Sequence, residues 1–432
     1  MKNFSKWLVP GVGLKRWLLL AASGVLAESG GVIALTIAIH RTLHWKLTLD
    51  LWLSSSGSLL IILGMSMAVI GGQNVVRVVV HALRTSNTPS LIEALYRSRS
   101  RRGPRIVVIG GGTGLSSVLR GLKAYSDNLT AIVTMADDGG SSGRLRAELG
   151  ALPPGDVRNC LVALAGEEEL LAALFNYRFP QGGLEGHSFG NLFITALANL
   201  TGDLEQAIQA ASRVLAIRGQ VLPATLSSVE LVARLADGSM VRGESAISHS
   251  RLPICEVKCD PANPPAVPAA LRAIREADAI VLGPGSLYTS VLPNLLITEI
   301  LNEIRRSMAP KIYICNVMTQ PGETDNYTVS HHIKALQRIG GTSLFSYVLV
   351  NQDPPQRLLG KYEEQGQHPV ELDLSEVIAT GVTPIAGSFL DEQATVRHDS
   401  AALARALFDW LTSLKREQTG KLSAKPWGGF EL

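Results

Sequence analysis

The chain reads as an α/β protein: a Rossmann-like parallel sheet with helical and small β insertions, preceded by an N-terminal two-helix transmembrane hairpin. Three observations predict this. From residue 105 onward, short β-branched runs ending in glycine alternate with stretches of helical spacing. Two long apolar segments lie before residue 73. Charge divides between these regions: residues 1–105 hold 13 Lys+Arg against 3 Asp+Glu, which leaves 27 basic and 34 acidic residues in the remainder.

The apolar segments come first in the chain. Trp17 to Ile39 carries one charge, Glu28, and Leu51 to Gly72 carries none. Each is long enough to cross a hydrocarbon core of roughly 30 Å. Trp17, Trp45 and Trp52 stand at segment ends, where an aromatic belt would lie. Lys2, Lys6, Lys15 and Arg16 precede the first segment, and seven arginines between Arg77 and Arg105 follow the second. The positive-inside rule then places both termini in the cytoplasm and the chain at the plasma membrane, the bacterial inner membrane, through residues 17–72. A cleaved signal peptide would leave the second segment unexplained. Two buried helices of a soluble, cytoplasmic protein are the other reading. Glu28 is the anomaly, because an intramembrane carboxylate is costly and needs a partner or a polar space.

The expected organisation is a hairpin over 1–76, a basic juxtamembrane linker over 77–103, a nucleotide-binding domain over 104–415 and a tail over 416–432. The linker's "RSRSRRGPR" suits anionic headgroups, and it lacks the aromatic interleaving of a nucleic-acid platform, so no nucleic acid is expected as a partner. The four cysteines form no C-x-x-C pair and read as reduced thiols.

In the domain, "RIVVIGGGTG" is a strand running into a glycine turn, "LSSVLRGLKAY" a helix with Leu115, Val118, Leu119 and Leu122 on one face, and "LTAIVTMADD" a second strand. Further strands end at 283, 316 and 351, with helices over 292–306 and 330–339 between them. Residues 155–212 read as helical, and 221–258 as a small β insertion with a hairpin at Asp237-Gly238.

In an open parallel sheet, ligands bind beyond the carboxyl ends of the strands. Four such ends carry unusual loops, 110–114, 136–143, 283–289 and 316–323, and all four are expected to converge on one site. Gly111, Gly112, Thr113 and Gly114 would let backbone amides and a helix N-terminus approach an anion. This run is neither the G-x-G-x-x-G fingerprint nor a Walker loop, so NAD is not expected. Asp137 and Asp138, followed by Ser141 and Ser142, could meet a ribose, hold Mg²⁺ or cap the next helix. Asp156 and Ser188 read equally as helix caps or site residues, and His187 and Asn191 could point into the crevice. Gly283, Pro284, Gly285, Ser286 and Thr289 form a nest-like turn entering a helix. Asn316 and Gln320 supply donors and acceptors from the neighbouring strand end. There is no nucleophile elbow, H-E-x-x-H or kinase signature, which leaves ligand binding alone or metal-assisted phosphoryl transfer.

"GGGTGLS", "ADDGGSSGRLR", "PPGDVRN", "GHSFGN", "LGPGSLYTSVLPNL" and "NVMTQPGET", in this order, resemble the gluconeogenesis-factor family. That family is related to 2-phospho-L-lactate transferase, and the likeness covers about residues 104–415. The resemblance implies a nucleotide at the strand ends. In the transferase branch it implies Mg²⁺-dependent phospholactyl transfer from a guanylyl donor to a deazaflavin precursor. In the gluconeogenesis-factor branch it implies a bound UDP-sugar, with links to cell shape, wall synthesis and gluconeogenic growth and no settled catalysis. "ADDGGSSGRLR" and "GPGSLYTS" look more like the second branch. Carried over, Gly111 to Gly114 would face phosphate, Asp137 and Asp138 would line the ligand or metal site with Asp138 as the Mg²⁺ ligand, and any catalysis would fall to these two aspartates. Gly283 to Ser286 and Thr289 would close the opposite wall, with Asn191 and Gln320 nearby. Residues 1–103 depart from the family's soluble form and would tether the domain near protein partners in wall synthesis. A homodimer is also expected, since rows of apolar residues in parallel sheets commonly support one.

Overall fold

In the computed structural model, described residues are 14–45, 51–85, 103–166 and 168–418. The chain divides into two compact units at Arg102/Gly103.

The first unit is a pair of helices, α1 (Leu14–Trp45) and α2 (Leu51–Thr85). They contain apolar stretches of membrane-crossing length, Trp17–Arg41 and Ser54–Arg77, and most side chains of both stretches are exposed. The helices meet along small residues seven apart: Gly24, Gly31 and Ala38 on α1, and Gly57, Gly64 and Gly71 on α2, all buried. A Cβ at Gly24 would lie 2.6 Å from the Gly64 carbonyl, and one at Gly31 2.6 Å from that of Gly57. Only glycine lets two backbones come this close, and small interfacial residues are how apolar helices associate without a hydrophobic driving force. A seven-residue spacing keeps the seam on one face under slight left-handed coiling. α2 continues beyond residue 76, where the sequence suggested the hairpin would end. The basic run Arg97–Arg102, the cationic Lys2 and Lys6 and the side chains of Trp45 and Trp52 lie outside the described residues.

The second unit is built on a seven-stranded parallel sheet. In chain order its strands are β1 (Ile106–Gly110), β2 (Leu129–Val133), β3 (Gln220–Pro223), β7 (Ala279–Leu282), β8 (Lys311–Ile314), β9 (Tyr347–Asn351) and β10 (Thr383–Gly387). Their spatial order is β10-β9-β8-β7-β1-β2-β3, every pair parallel. The chain winds outward from β1 to β3, then returns to the other side of β1 and winds outward again. The reversal lies between β1 and β7, which is where a doubly wound sheet opens a crevice. β1 and β2 are buried along their whole length, as expected of strands covered on both faces. Alternate residues of one strand feed opposite cores. Val107 and Ile109 pack with helices Pro268–Arg275, Thr298–Arg306 and Val329–Gly340, whereas Ile106 and Val108 pack with Gly112–Leu122, Gly155–Leu164 and Ser400–Gln418.

The β insertion is a three-stranded antiparallel sheet, β4 (Glu230–Leu235), β5 (Met240–Arg242) and β6 (Ile254–Asp260), in the order β5-β4-β6. The hairpin at Asp237-Gly238 is present. Residues 221–223, read from sequence as the start of this insertion, instead belong to β3 and pair with β2 in the main sheet. β10 is too rich in intermediate exposure to stand out as a strand in the sequence. A last hairpin, β11 (Leu390–Glu392) and β12 (Val396–His398), precedes the C-terminal helix, which runs past residue 415 to Gln418. The "KPWGGFEL" end lies outside the described residues. All four cysteines are free; three are buried and Cys255 is exposed.

Candidate functional site

A cleft of ≈ 710 Å³ opens at the carboxyl ends of β1, β7 and β8. That size suits a nucleotide-sized ligand. Its floor is the turn between β1 and the helix Gly112–Leu122, and Gly112 (φ +68°) takes the left-handed conformation there. Gly111 is needed for space, since a Cβ would lie 2.6 Å from Asp156 Oδ2 and 2.7 Å from Thr134 Cγ2. Gly114 abuts the Pro284 carbonyl with no room for a methyl group. The helix has no acidic residue of its own in its first turn, and Gly112, Thr113 and Gly114 at its N-terminus line the cleft, with Asp156 accepting from the Gly112 N–H behind them.

The opposite wall follows β7. Gly283 N–H donates to the Ile109 carbonyl at 2.8 Å, which fixes one loop against the other strand. Gly285 (φ +150°) is clamped by Asn316, which accepts from its N–H at 2.9 Å and donates to its carbonyl at 2.7 Å. Gln320 Nε2 donates to Ser286 Oγ at 2.8 Å, and its Oε1 is buried without a partner. A π-turn, Leu287–Val291, follows, wholly buried. π-turns interrupt helices most often where a site needs its side chains re-aimed. Within it, Thr289 donates to Glu323 Oε1 at 3.2 Å.

The remaining walls supply positive charge. Arg120, Arg158 and Arg397 line the cleft, and no aspartate or glutamate does so among the described residues. Arg158 is 9% exposed. Its Nη1 donates to Ser188 Oγ at 2.6 Å and Asn191 Oδ1 at 3.1 Å, and its Nη2 to Asn159 Oδ1 at 2.9 Å. Its Nε has no partner. Asn191 in turn donates to Ser142 Oγ at 3.4 Å, and Ser141 Oγ meets His187 Nδ1 at 3.1 Å. Ser188 also caps the helix Phe189–Thr201 by accepting from Asn191 N–H.

The carboxylates gather elsewhere. Asp137 Oδ1 accepts from Gly139 N–H at 2.9 Å, closing a turn, and Asp138 Oδ1 accepts from Ser245 N–H at 2.8 Å, holding the helix Glu244–His249 of the β insertion. Asp156 is the second residue of its helix rather than its cap, and it accepts from Gly112 N–H. Burial, with Asp137 beside it, raises the Asp156 pKa to about 7. Burial and then the charges of Asp137, Asp138 and Asp156 raise Glu244 to about 8. Like charges this close cannot all ionise, so this group shares protons near neutral pH.

Of the sequence-predicted residues, Gly112, Thr113, Gly114, Pro284, Gly285, Ser286, Asn316 and Gln320 line the cleft. Gly111 and Gly283 shape its backbone without lining it. Thr289, Ser141, Ser142, His187 and Asn191 are buried supports. Three of the four expected loops reach the cleft; 136–143 does not, because its two aspartates are turned onto backbone amides at Gly139 and Ser245. Among the described residues, no group of three or more carboxylate, imidazole or thiol side chains is arranged to hold a metal ion. Sequence reasoning missed Arg120, Arg158, Tyr362, Arg397 and His398, which also line the cleft. Arg158 had a signal, standing in the first turn of a helix entered from "PPGD"; the last three belong to no quoted motif.

Residues 106–390 match the family model of 2-phospho-L-lactate transferase CofD. A putative gluconeogenesis factor of Nostoc sp. is 51% identical over 427 residues, 95% of this chain and 93% of the relative. One from Clostridium acetobutylicum is 40% identical over 96% of this chain, so residues 1–103 have counterparts in other members. The gluconeogenesis factor of Bacillus subtilis is 48% identical over 311 residues, 71% of this chain and 98% of its own length, a span that the second unit alone would account for. The crystal structure of a UPF0052 family protein from Bacillus halodurans superposes with a TM-score of 0.69 at 48% identity, covering 71% of this chain and 99% of that one.

Proposed function

The chain belongs to the gluconeogenesis factor family, and from that premise we propose that it is a regulatory protein that binds a nucleotide sugar of the UDP-sugar type. Its regulatory output concerns cell shape, wall synthesis and gluconeogenic growth, through protein partners in wall synthesis. The observation that carries this reading is the cleft's composition. A glycine turn and a helix N-terminus face three arginines, and among the described residues no aspartate or glutamate lines the space. This is a cradle for a diphosphate, with amide and hydroxyl groups of Asn316, Gln320 and Ser286 left for sugar or base.

The hairpin would hold this domain at the inner face of the bacterial membrane, with α1 and α2 crossing it. Exposed apolar surface along both helices supports this. In alkaline carbonate extraction the full chain should stay with the membrane; release into the supernatant would remove the tether.

The CofD match favours a second reading, a Mg²⁺-dependent transferase of the phospholactate type. One titration separates the two. Full-length protein in detergent is titrated calorimetrically with UDP-glucose, UDP-N-acetylglucosamine, GTP and NAD, and product formation is followed. UDP-sugar binding without turnover is expected. Mg²⁺-dependent transfer from a guanylyl donor to a deazaflavin acceptor would replace this reading with the second, and NAD binding would sink both.

A further inference from the structure

Glu28 is the one charged residue between Trp17 and Ile39. It stands eleven residues after Trp17 and thirteen before Arg41, about 16 and 20 Å along α1 from the ends of the apolar stretch. A side chain of two methylenes cannot snorkel that far to water. At its closest approach α2 brings no side chain against it: the facing residue is Gly64, where a Cβ would lie 2.6 Å from the Glu28 nitrogen. Glu28 is half-buried, and among the described residues its carboxyl has no hydrogen-bond or ion-pair partner. The hydroxyls of Ser29, Thr36, Ser58 and Ser66 are spent on their own helices, each donating to the carbonyl four residues earlier. A carboxyl inside a membrane is costly without a partner, so the partner of Glu28 lies outside the hairpin.

The face of α1 next to this carboxyl is open. At about 100° per residue, the seam residues Gly24 and Gly31 lie about 50° to one side of Glu28. Val25, Val32, Thr36, Ser29 and Ala22 lie about 40–120° to the other side, and all five are exposed. None is larger than valine, so a further helix can come close to this face, as associating helices do in lipid. A helix seated there would also cover Glu28. The carboxyl itself says which helix. A carboxyl group carrying its proton has one donor and one free acceptor oxygen, so two such groups satisfy each other. Copies of one chain inserted in the same orientation hold residue 28 at the same depth, and a twofold axis along the membrane normal sets like residue against like.

We propose that two copies of the chain associate in the membrane through the Ala22–Ser29–Thr36 face of α1, with each Glu28 carboxyl donating a hydrogen bond to its counterpart and accepting one in return. This rests on the reading that α1 and α2 cross a membrane. It adds the partner, a second copy, and makes the membrane segment the element that pairs the copies.

The test uses the full-length chain in isolated membranes, with Cys255 replaced by serine. Single cysteines are placed by Ser29→Cys on the proposed face and by Leu26→Cys, exposed on the far side of α1 at nearly the same depth. Under mild oxidant Ser29→Cys should give disulfide-linked dimers, and Leu26→Cys severalfold fewer. Adding Glu28→Leu to Ser29→Cys should lower the dimer yield severalfold. Leucine suits the hydrocarbon core better than glutamate, so that loss would not come from failed insertion. Glu28→Gln should keep most of the dimer, because a side-chain amide also donates and accepts. Sedimentation equilibrium of the unlinked chain in density-matched detergent gives the size of the effect: Glu28→Leu should weaken self-association about tenfold relative to wild type. Equal association in Glu28→Leu overturns the inference, as does equal cross-linking from Leu26→Cys. A wild-type chain that is monomeric overturns it too, and leaves Glu28 to a different membrane component. Carbonate extraction separates the two levels: a chain released from the membrane ends the tether reading and this inference with it, whereas a retained chain that does not dimerise ends only the inference.

Discussion

Asn316 and Gly285 hold each other by two hydrogen bonds, the side-chain amide accepting from the glycine N–H at 2.9 Å and donating to its carbonyl at 2.7 Å. The pair joins the ends of β7 and β8 and freezes the turn at one wall of the cleft. Asn316→Asp keeps the acceptor, loses the donor and adds negative charge to a wall of the cleft that three arginines also line. Titration with a UDP-sugar should show affinity falling by about tenfold or more, with a stability loss of about 1–2 kcal/mol in denaturant unfolding. Equal affinity would mean that the turn holds its shape without the clamp.

Arg158 is the buried cation with the most partners in the cleft. Arg158→Lys keeps the charge but cannot reach Ser188, Asn191 and Asn159 together, because an ammonium lacks the planar fork. Ligand affinity should fall by about tenfold with little change in Tm. Arg158→Ala leaves those partners buried and unsatisfied and should in addition destabilise by about 1–3 kcal/mol.

Gly114→Ala sets a methyl group against the Pro284 carbonyl, where no flexible side chain can yield. The two loops must part, costing about 1–3 kcal/mol. Differential scanning calorimetry should record the drop. An unchanged Tm would show that the β1 and β7 loops are not locked together.

The raised carboxyls make stability depend on pH in a definite direction. Asp156 and Glu244 stay protonated in the folded protein up to about 7 and about 8, while the unfolded chain releases both protons near 4. The folded state binds more protons between those limits, so their contribution is complete below about pH 4 and is lost as pH rises through 7 to 8. Tm should decline from pH 6 to pH 9. Asp156→Asn, which keeps an acceptor for Gly112 N–H, should flatten that decline and melt above wild type at pH 8. A wild-type Tm that rises over this range would contradict the assignment.

In the first unit, the Gly57 and Ala34 Cβ positions lie 3.4 Å apart, close to the separation of a disulfide. With Cys255 replaced by serine, the Ala34→Cys/Gly57→Cys pair should cross-link readily under mild oxidant. Adding Gly64→Leu, whose side chain would enter the backbone of Glu28, should slow that reaction severalfold by prising the helices apart. An unaltered rate would show that the glycine seam does not set the spacing.

Local pattern alone determined the parallel sheet, the two apolar helices and most of the loops that line the cleft. β-branched runs ending in glycine report strands, and glycine, proline and serine report turns wherever the backbone itself demands them. Thus Gly112, Gly285 and the hairpin at Asp237-Gly238 were legible before any coordinates. The seven-residue glycine spacing of the hairpin was equally present in the chain, but its meaning depends on the partner helix. Tertiary structure alone decided three things. Residues 220–223 joined the main sheet because their pairing partner, β2, lies about 90 residues earlier. Asp137 and Asp138 were turned from the cleft because backbone amides at Gly139 and Ser245 claim their oxygens. Arg397 and His398 reached the cleft because the β11–β12 hairpin delivers them from the far end of the chain. The physical reason is common to all three: a side chain's chemistry is set by what lies within a few ångströms of it, and for these residues those neighbours are distant in sequence.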